Sequence, residues 1–452
     1  MRWVFYFVFV MKNNNQVIQE LGRSAIMAMN SGDVSEAENK LLRVLEIDPT
    51  DFNALNLLAY LCAINGDQLR AIHYLEAAIK IKPLDGTVLI NLGKAYQEIG
   101  NHQNSIRVYT IYKNSHPFNP DVILDLVVAH FKTENYQLAL EICMGLIAEN
   151  EKNLAAWKQL SIIYLKLGHL QESKDAAVTA LNFDLSDPES WILLGNVQYE
   201  FGNTDEAINS FKKASDINPR LSISWMNIGN CYLRLGRYYQ AIEFYLHSLR
   251  LEISPESYYN LGVAYGRCGD FISAISAYDM LLEIEKDNAQ GLLNKGLALL
   301  QLGSFEAGWG LYENRFNLGG GLKNRHSDIK RLESLKEVAG KKLLVWHEQG
   351  IGDTLQFSRY IQLLQKKGAV VTFEVQTPLR ELLRNQFECC VVDEVVNTKK
   401  FEYQIPLLSL PLIFNTTLDT IPEVINVFPE IFKVQFWKER IKRSPNKINI
   451  GL

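Results

Sequence analysis

The chain lacks an excess of basic residues. Its 452 residues carry 46 lysines and arginines against 51 aspartates and glutamates, a formal net charge of −5, and no basic block interrupts this balance. Nucleic-acid-binding proteins need a basic surface to neutralise phosphates, so the composition gives no electrostatic case for a nucleic-acid partner. The remaining composition, 47% apolar and 21% charged, is that of an ordinary soluble protein. Its length is enough for roughly two to four domains.

Cysteine is scarce and is not arranged for a metal. The six cysteines show no zinc spacing, and we expect no bound metal. Adjacent Cys389 and Cys390 are poorly suited to a mutual disulfide, and Cys143 and Cys231 fall in repeats where a small buried residue fits. Reduced thiols of this kind predict a cytoplasmic protein.

A membrane-spanning run is also missing from the apolar N-terminus, MRWVFYFVFVMKNNN. The run from Trp3 to Val10 has eight residues, whereas a bilayer needs roughly 20, so we expect no stable membrane insertion. An export signal is the alternative, but Lys-Asn-Asn-Asn follows instead of a small-residue cleavage site. This favours translation starting at Met11, and residues 1–17 are interpreted as an N-terminal extension.

The sequence does contain a repeat of 34 residues with one step of 33. A glycine marks the turn inside each unit, except where Glu134 replaces it, and the glycines are Gly32, Gly66, Gly100, Gly168, Gly202, Gly236, Gly269 and Gly303. Small residues stand seven positions before most turns and five positions after them, and an aromatic residue often follows four positions later. Small residues let two antiparallel helices approach, and glycine permits the tight turn between them. Each unit is therefore predicted to be a helix pair.

This pattern resembles the tetratricopeptide repeat over about nine units, residues 18–322. Each pair leaves an apolar face that only the next pair can cover. The resemblance therefore implies an all-α superhelix whose concave face is lined by the first helix of every pair. Trp157, Trp191 and Trp225 recur at the repeat spacing and are interpreted as packing residues rather than as a ligand box.

A ladder of side-chain amides is predicted on the concave face. The amides stand two residues before the first small residue of a unit, at Asn91, Gln159, Asn227, Asn260 and Asn294. An amide offers a donor and an acceptor, so a ladder can pair with an extended peptide backbone whatever its sequence. Tetratricopeptide arrays of protein-glycosylating enzymes use such a ladder, although Asn is also common at this position in these repeats generally. We expect a protein or peptide in the groove, and a second copy of the chain, forming a homodimer, stays open as another partner.

A different architecture begins after the repeats. Three consecutive glycines in NLGGGLKNRHSD mark a break, and residues 323–340 are interpreted as a linker. In residues 341–443, the strands KKLLVW, AVVTFEV and CCVVDEVV alternate with the helices TLQFSRYIQLLQKKG and TPLRELLRNQF. This alternation predicts a Rossmann-like parallel sheet, with ligands beyond the carboxyl ends of its strands.

Several stretches of this region carry a second resemblance: HEQGIGDTLQFSRY, GAVVTFEVQTPLRELL, PLLSLP and GWGLYENRF. They are similar to bacterial tetratricopeptide proteins with a heptosyltransferase-like glycosyltransferase domain, from about Phe305 onward. That family has the two-domain GT-B fold, and the resemblance implies its N-terminal half here, with Asp353 as the catalytic base. The O-linked N-acetylglucosamine transferases share the array, but their Ser-x-Asp-Phe opening is not found.

The QGIGD turn follows the first strand, and its residue types suit ligand binding. Gly350 and Gly352 let the backbone approach a ligand, and the following helix N-terminus favours an anionic group. Three polar residues in or near the turn are predicted to orient an acceptor: Gln349, Thr354 and Arg359. Asp353 has an alternative role as N-cap of a helix beginning at Thr354, and both roles stay open. His347 is interpreted as a strand-end residue rather than a second base.

Residues 444–452 are interpreted as the first strand of a second domain. In the resembled family that domain binds a nucleotide-sugar donor. We therefore expect the donor half to be missing here, no cofactor for this chain, and no activity from the chain alone. The predicted function is a protein-interaction scaffold fused to a glycosyltransferase-like domain acting on a protein or glycan acceptor. The alternative is a non-catalytic scaffold or adaptor for protein-complex assembly.

Overall fold

The computed structural model describes residues 2–319, 325–348, 350–395, 397–425 and 431–440, with side chains from residue 15 onward. It divides into two compact units, Met1–Asn227 and Ile228–Leu452. The helices of the first unit are α1 Arg2–Ser31, α2 Val34–Ile47, α3 Phe52–Ile64, α4 Gln68–Ile81, α5 Gly86–Glu98, α6 His102–Ser115, α7 Pro120–Lys132, α8 Tyr136–Glu149, α9 Leu154–Leu167, α10 Leu170–Phe183, α11 Pro188–Glu200 and α12 Thr204–Ile217. The boundary falls within α13, Ser222–Arg234.

The second unit continues the helix pairs and then turns to a sheet. Its remaining repeat helices are α14 Tyr238–Leu251, α15 Pro255–Arg267, α16 Phe271–Ile284, α17 Ala289–Gln301 and α18 Phe305–Tyr312. The predicted helix pairs are thereby confirmed. The expected start of the repeats at residue 18 is not marked by a helix boundary, because α1 runs without a break through residues 17 and 18. Neither glycine nor proline occurs between Arg2 and Leu21, so nothing ends the helix there.

Turn geometry explains the repeated glycines. All eight have positive φ between +71° and +84°, the left-handed region that glycine enters without a steric penalty. Glu134 takes the same place with φ of 61°, so the backbone keeps its turn although the residue changes. The second helix of a pair begins two residues after the turn residue, and in four of the nine pairs the side chain between them caps it, as where Asp67 accepts a hydrogen bond from the Arg70 N–H at 3.1 Å.

The predicted packing of small against aromatic residues is present between paired helices. A Cβ added at Gly195 would lie 2.5 Å from the ring of Phe211, and one added at Gly262 would lie 2.5 Å from the ring of Tyr278. Two of the recurring tryptophans, Trp157 and Trp191, are partly buried and pack against cores of the repeats, as predicted. The indole N–H of Trp157 donates to the Glu151 carbonyl at 2.8 Å, and Trp191 makes the same bond six residues back at 2.9 Å.

The sheet contains four parallel strands in the order β3-β2-β1-β4. Its elements are β1 Lys342–Trp346, α19 Ile351–Phe357, α20 Arg359–Lys366, β2 Val370–Glu374, α21 Thr377–Leu383, β3 Cys390–Val392, β4 Tyr403–Pro406, α22 Leu410–Ile413 and α23 Ile431–Arg440. In the register, Val345 of β1 is opposite Phe373 of β2 and Ile405 of β4. These side chains are fully buried at the centre of the domain core.

Two features of this domain differ from the sequence prediction. The single helix expected over TLQFSRYIQLLQKKG is two helices, because the chain departs from the helix at Ser358, whose hydroxyl donates to the Leu355 carbonyl. β4 was not predicted, since it has four residues and only a 3-10 helix, Thr398–Lys400, separates it from β3. It nevertheless becomes a buried neighbour of the central strand.

The expected linker is part of the domain in its described portion, residues 325–340. Ile329, Leu332 and Val338 are buried in this segment, and the Leu332 N–H donates to the Gln404 carbonyl of β4 at 2.9 Å. The linker interpretation is therefore wrong here, because widely spaced apolar residues complete the core. Residues 320–324 and the predicted strand at 444–452 lie outside the described residues.

Among the helices that the structure describes, none is long and apolar enough to cross a bilayer.

Candidate functional site

The predicted catalytic turn lies at the carboxyl end of β1, where ligands of parallel sheets bind. Gly350 is extended, with φ of −66° and ψ of 164°, and α19 begins at the next residue. Asp353 is the third residue of α19, and its Oδ2 accepts a hydrogen bond from the Gly350 N–H at 3.2 Å. The predicted N-cap position is therefore wrong: the N-cap residue is Gly350, three residues before Asp353. Asp353 still stabilises the helix end, in the manner of a capping-box carboxylate.

The two glycines of the turn are not required by the fold. Neither has positive φ. A Cβ added at Gly352 would meet nothing within 4 Å, and one added at Gly350 would make only an ordinary contact of 3.6 Å with Asp353. Gly350 and Gly352 are both exposed. The turn thus has an open, side-chain-free surface that a ligand could approach.

The other predicted ligand residues have structural roles or cannot be placed. Thr354 is 1% exposed and its hydroxyl contacts the Gly350 carbonyl at 3.4 Å, so it cannot orient an acceptor. The Arg359 guanidinium donates to the carbonyls of Gln356 at 2.7 Å and Pro422 at 3.0 Å. It is thereby held by a neighbouring loop rather than by the turn. Gln349 lies outside the described residues.

A buried ion pair anchors the segment before the turn. The Glu348 side chain is 0% exposed and that of Arg315, in a 3-10 helix Glu313–Asn317 after the last repeat, is 2% exposed. Their bidentate contacts measure 2.7 and 3.0 Å, and the Leu408 N–H also donates to Glu348 at 3.0 Å. Sequence reasoning missed this pair because 33 residues separate its members. Its only sequence signal is a glutamate two residues after the end of a buried strand.

Residues of the former linker cover the ends of β1 and β2. The Arg325 guanidinium donates to the His347 carbonyl, and His326 pairs with Glu374 at 2.7 Å. Burial, reinforced by the Arg325 charge, lowers the pKa of His347, so its imidazole is neutral at pH 7. Its Nδ1 has no hydrogen-bond partner among the described residues. His347 is thus a partly buried strand-end residue, as predicted.

The amides of the first unit differ in burial. Asn91 of α5 and Gln159 of α9 are partly buried. Asn227 is only 9% exposed, and its amide N–H donates to Asn196 of α11 at 3.2 Å. The expectation that all ladder members are surface residues is therefore wrong for Asn227, because the preceding repeat covers it.

The amides of the second unit are also tied to the preceding first helix. Asn260 of α15 donates to Asn230 of α13 at 3.1 Å. Asn294 of α17 donates to the Tyr259 hydroxyl of α15 at 3.1 Å. Each bond uses one of the two amide hydrogens and fixes the side-chain rotamer. The amides are thus held in place before any ligand arrives.

The repeats match a known family. The tetratricopeptide-repeat profile matches residues 40–73, 188–221, 222–252 and 255–288. Among relatives, the BBSome complex member BBS4 homolog of Drosophila melanogaster is 26% identical over 182 residues, 39% of this chain and 36% of that protein. Protein FlbA of Caulobacter vibrioides is 24% identical over 343 residues, 75% of this chain and 46% of that protein. A solved tetratricopeptide repeat protein from Parabacteroides merdae is 15% identical, with a TM-score of 0.42. The matched region covers 63% of this chain and 99% of the Parabacteroides merdae chain.

The matches to the two curated relatives cover only part of those proteins. The chain spans about a third of the length of the BBS4 homolog, 36%, and 46% of FlbA. The segments matched by the profile lie in the helical repeats of both units. The chain therefore carries tetratricopeptide repeats, an architecture of protein-interaction scaffolds.

Proposed function

We propose that the repeats bind an extended polypeptide segment along the first helices of the pairs. The observation that carries this proposal is the hydrogen bonding of the partly buried amides. Asn260 donates one amide hydrogen to Asn230. Its second amide hydrogen and its oxygen have no partner among the described residues and are available to a ligand. A side chain that is already ordered loses less conformational entropy when a partner binds. An extended backbone, which alternates donors and acceptors, is the ligand that such amides fit.

Panning of short randomised peptides on the purified chain tests this proposal. The double variant Asn91→Ala, Gln159→Ala should recover fewer binding peptides, while its unfolding temperature stays near that of the wild type. Asn227 is left intact because it is buried. The matched control, Gln137→Ala with Gln171→Ala, removes exposed amides from the second helices α8 and α10. Equal recovery from both double variants would make the ladder irrelevant to binding.

A second candidate function is sugar transfer from a nucleotide-sugar to a protein or glycan acceptor. It is favoured by the exposed Gly350 and Gly352, which neither φ nor packing explains, beside a carboxylate at the ligand edge of the sheet. In this role Asp353 takes the proton of the acceptor hydroxyl as the hydroxyl oxygen attacks the anomeric carbon, and the bond from that carbon to the donor's phosphate breaks, so that the nucleotide leaves. The resemblance to heptosyltransferase-like domains implies the same role for Asp353. The α/β domain then supplies the acceptor side of the reaction.

The test uses the product of the gene's complete reading frame, assayed with nucleotide-sugar donors. Asp353→Asn keeps a side-chain oxygen that can accept the Gly350 N–H, so the cap survives while the base is lost. We expect a loss in kcat of about 100-fold or more, unchanged donor affinity and an unchanged unfolding temperature. Asp419→Asn, an exposed aspartate of the same domain, is the control. If Asp353→Asn unfolds, the main role of Asp353 is to cap the helix. If the wild type transfers no sugar, the result favours a non-catalytic scaffold.

A further inference from the structure

One position of the ladder carries a charge instead of an amide. Asp125 of α7 stands two residues before Val127, the register that holds Asn91 one repeat earlier and Gln159 one repeat later. Asp125 is not an amide, although it occupies the same place in its helix pair as Asn91 and Gln159 do in theirs. The three side chains belong to the first unit and are all partly buried.

The Asp125 carboxylate is poorly satisfied by the protein. The hydroxyl of the fully buried Tyr109 lies 3.3 Å from Asp125 Oδ2 and also 3.3 Å from Gln97 Oε1, and its single proton can serve only one of them. The Gln97 amide N–H bonds to the Asp125 backbone carbonyl at 2.9 Å and not to the carboxylate. Within the part of the chain that the structure describes, no lysine or arginine nitrogen pairs with Asp125.

The charged neighbours of Asp125 do not neutralise it. Lys94 of the preceding first helix is exposed, and it lowers the cost of ionisation without forming an ion pair. Asp121, one turn earlier on α7, acts in the opposite sense. Burial outweighs these influences and the Tyr109 hydrogen bond, and raises the pKa of Asp125. This rung of the ladder is therefore a partly buried carboxylate whose only donor among the described residues is the Tyr109 hydroxyl, which it shares with Gln97.

We infer that the groove selects a segment with a lysine or arginine side chain at the residue that faces Asp125. An amide both donates and accepts, whereas a carboxylate only accepts, so this rung cannot bond a peptide carbonyl and requires a donor. A cationic side chain provides the strongest such bond, because both partners are charged. The inference rests on the proposed peptide binding. It adds a preference for a basic residue at one position of the ligand to a ladder that otherwise binds any sequence.

Panning of short randomised peptides separates the two proposals. Wild-type chain should enrich peptides with lysine or arginine at one fixed register. Asp125→Asn, which restores the amide of the neighbouring rungs, should still enrich peptides but without that preference. Asp121→Asn removes an exposed charge from the same helix and should keep the preference. Circular dichroism and the unfolding temperature check that both variants are folded.

An enriched peptide then serves as a defined probe. Replacing its basic residue by glutamine should weaken binding to the wild type roughly 10-fold or more, and should barely change binding to Asp125→Asn. Enrichment without a basic preference, or a preference that survives in Asp125→Asn, would overturn the inference and leave peptide binding standing. A failure to enrich any peptide would overturn the proposed function itself.

Discussion

At the residue scale, Glu134 shows how the backbone of a turn can persist without its usual residue. Its φ of 61° lies in the same left-handed region as the φ of the turn glycines in other repeats. A left-handed conformation costs an L-residue roughly 1–2 kcal/mol, whereas glycine adopts it freely. The same position is exposed, so side-chain contacts offset little of this cost.

Glu134→Gly should therefore stabilise the chain, by about 1 kcal/mol. Urea denaturation followed by circular dichroism measures the change in the free energy of unfolding. Glu134→Ala, which removes the carboxylate but keeps Cβ, should show little gain. Equal gains from both variants would attribute the effect to charge rather than to backbone conformation.

A second prediction at this scale concerns pH and Asp125. Burial raises the pKa of this carboxyl, so the folded chain holds its proton more tightly than the unfolded chain does. The resulting stabilisation is complete below the ordinary aspartate pKa, near 3.9, and is lost as pH rises through the raised value. Asp125→Asn should therefore raise the unfolding temperature relative to wild type at pH 7, and the difference should shrink at pH 4.

The control for this comparison is Asp121→Asn, because Asp121 is exposed on the same helix. The groups near Asp125 are Lys94, Tyr109 and Asp121. An Asp125→Asn variant that is less stable than wild type at pH 7 would show that the carboxylate has an internal partner. That result would also weaken the case for a basic ligand.

At the scale of the element, helical glycines of the repeats fall into two kinds. Gly195 of α11 lies against Phe211, and its missing side chain allows the two helices of the pair to approach. Gly145 of α8 has nothing within 4 Å of an added Cβ. The same residue type is thus required by packing in one helix and is only a weak helix former in the other.

The two Gly→Ala substitutions should accordingly have opposite signs. Gly145→Ala should stabilise the chain by roughly 0.5–1 kcal/mol through helix propensity. Gly195→Ala should destabilise it by about 1–3 kcal/mol, because the new Cβ would lie 2.5 Å from the Phe211 ring. Thermal and urea unfolding of both variants test this. A stabilising Gly195→Ala would mean that the ring moves aside at little cost.

At the scale of the whole molecule, the last repeat and the sheet share one core within the second unit. Tyr312 of α18 is buried together with Leu343 and Val345 of β1 and Leu364 of α20. The Arg315–Glu348 pair lies beside this core and joins the end of the array to the segment before the Gly350 turn. The position of the turn relative to the last helix pair is therefore set by packing rather than by a linker.

Arg315→Met should destabilise the second unit by about 3–5 kcal/mol, because it leaves the buried Glu348 charge uncompensated. Adding Glu348→Gln should recover part of that loss, since a neutral side chain is easier to bury. Arg380→Met, which removes an exposed ion pair with Asp393, should cost no more than about 1 kcal/mol. Chemical denaturation gives all three values. Equal effects of the two arginine substitutions would show that Glu348 finds another donor.

The amino-acid sequence by itself determined the repeat helices, their turns and the strands β1 and β2. These features depend on residues close together in the sequence. In the helix pairs they are a glycine or Glu134 at the turn and small residues facing aromatic rings, and in the strands an apolar run bounded by polar residues. The order of strands and helices around QGIGD also followed from such local patterns. The heptosyltransferase-like role of Asp353 stays a proposal, because a motif specifies residue types without specifying what the folded site can reach.

Tertiary structure decided the environments of individual polar groups. Thr354 and Asn227 became buried, and Arg359 bonded the Pro422 carbonyl, because elements distant in sequence pack over them. Glu348 acquired a partner 33 residues away, and residues 325–340 completed the sheet core instead of linking two domains. Burial and charge pairing arise from long-range packing, so no local pattern encodes them. For the same reason only the folded chain shows that the Asp125 carboxylate is left short of donors.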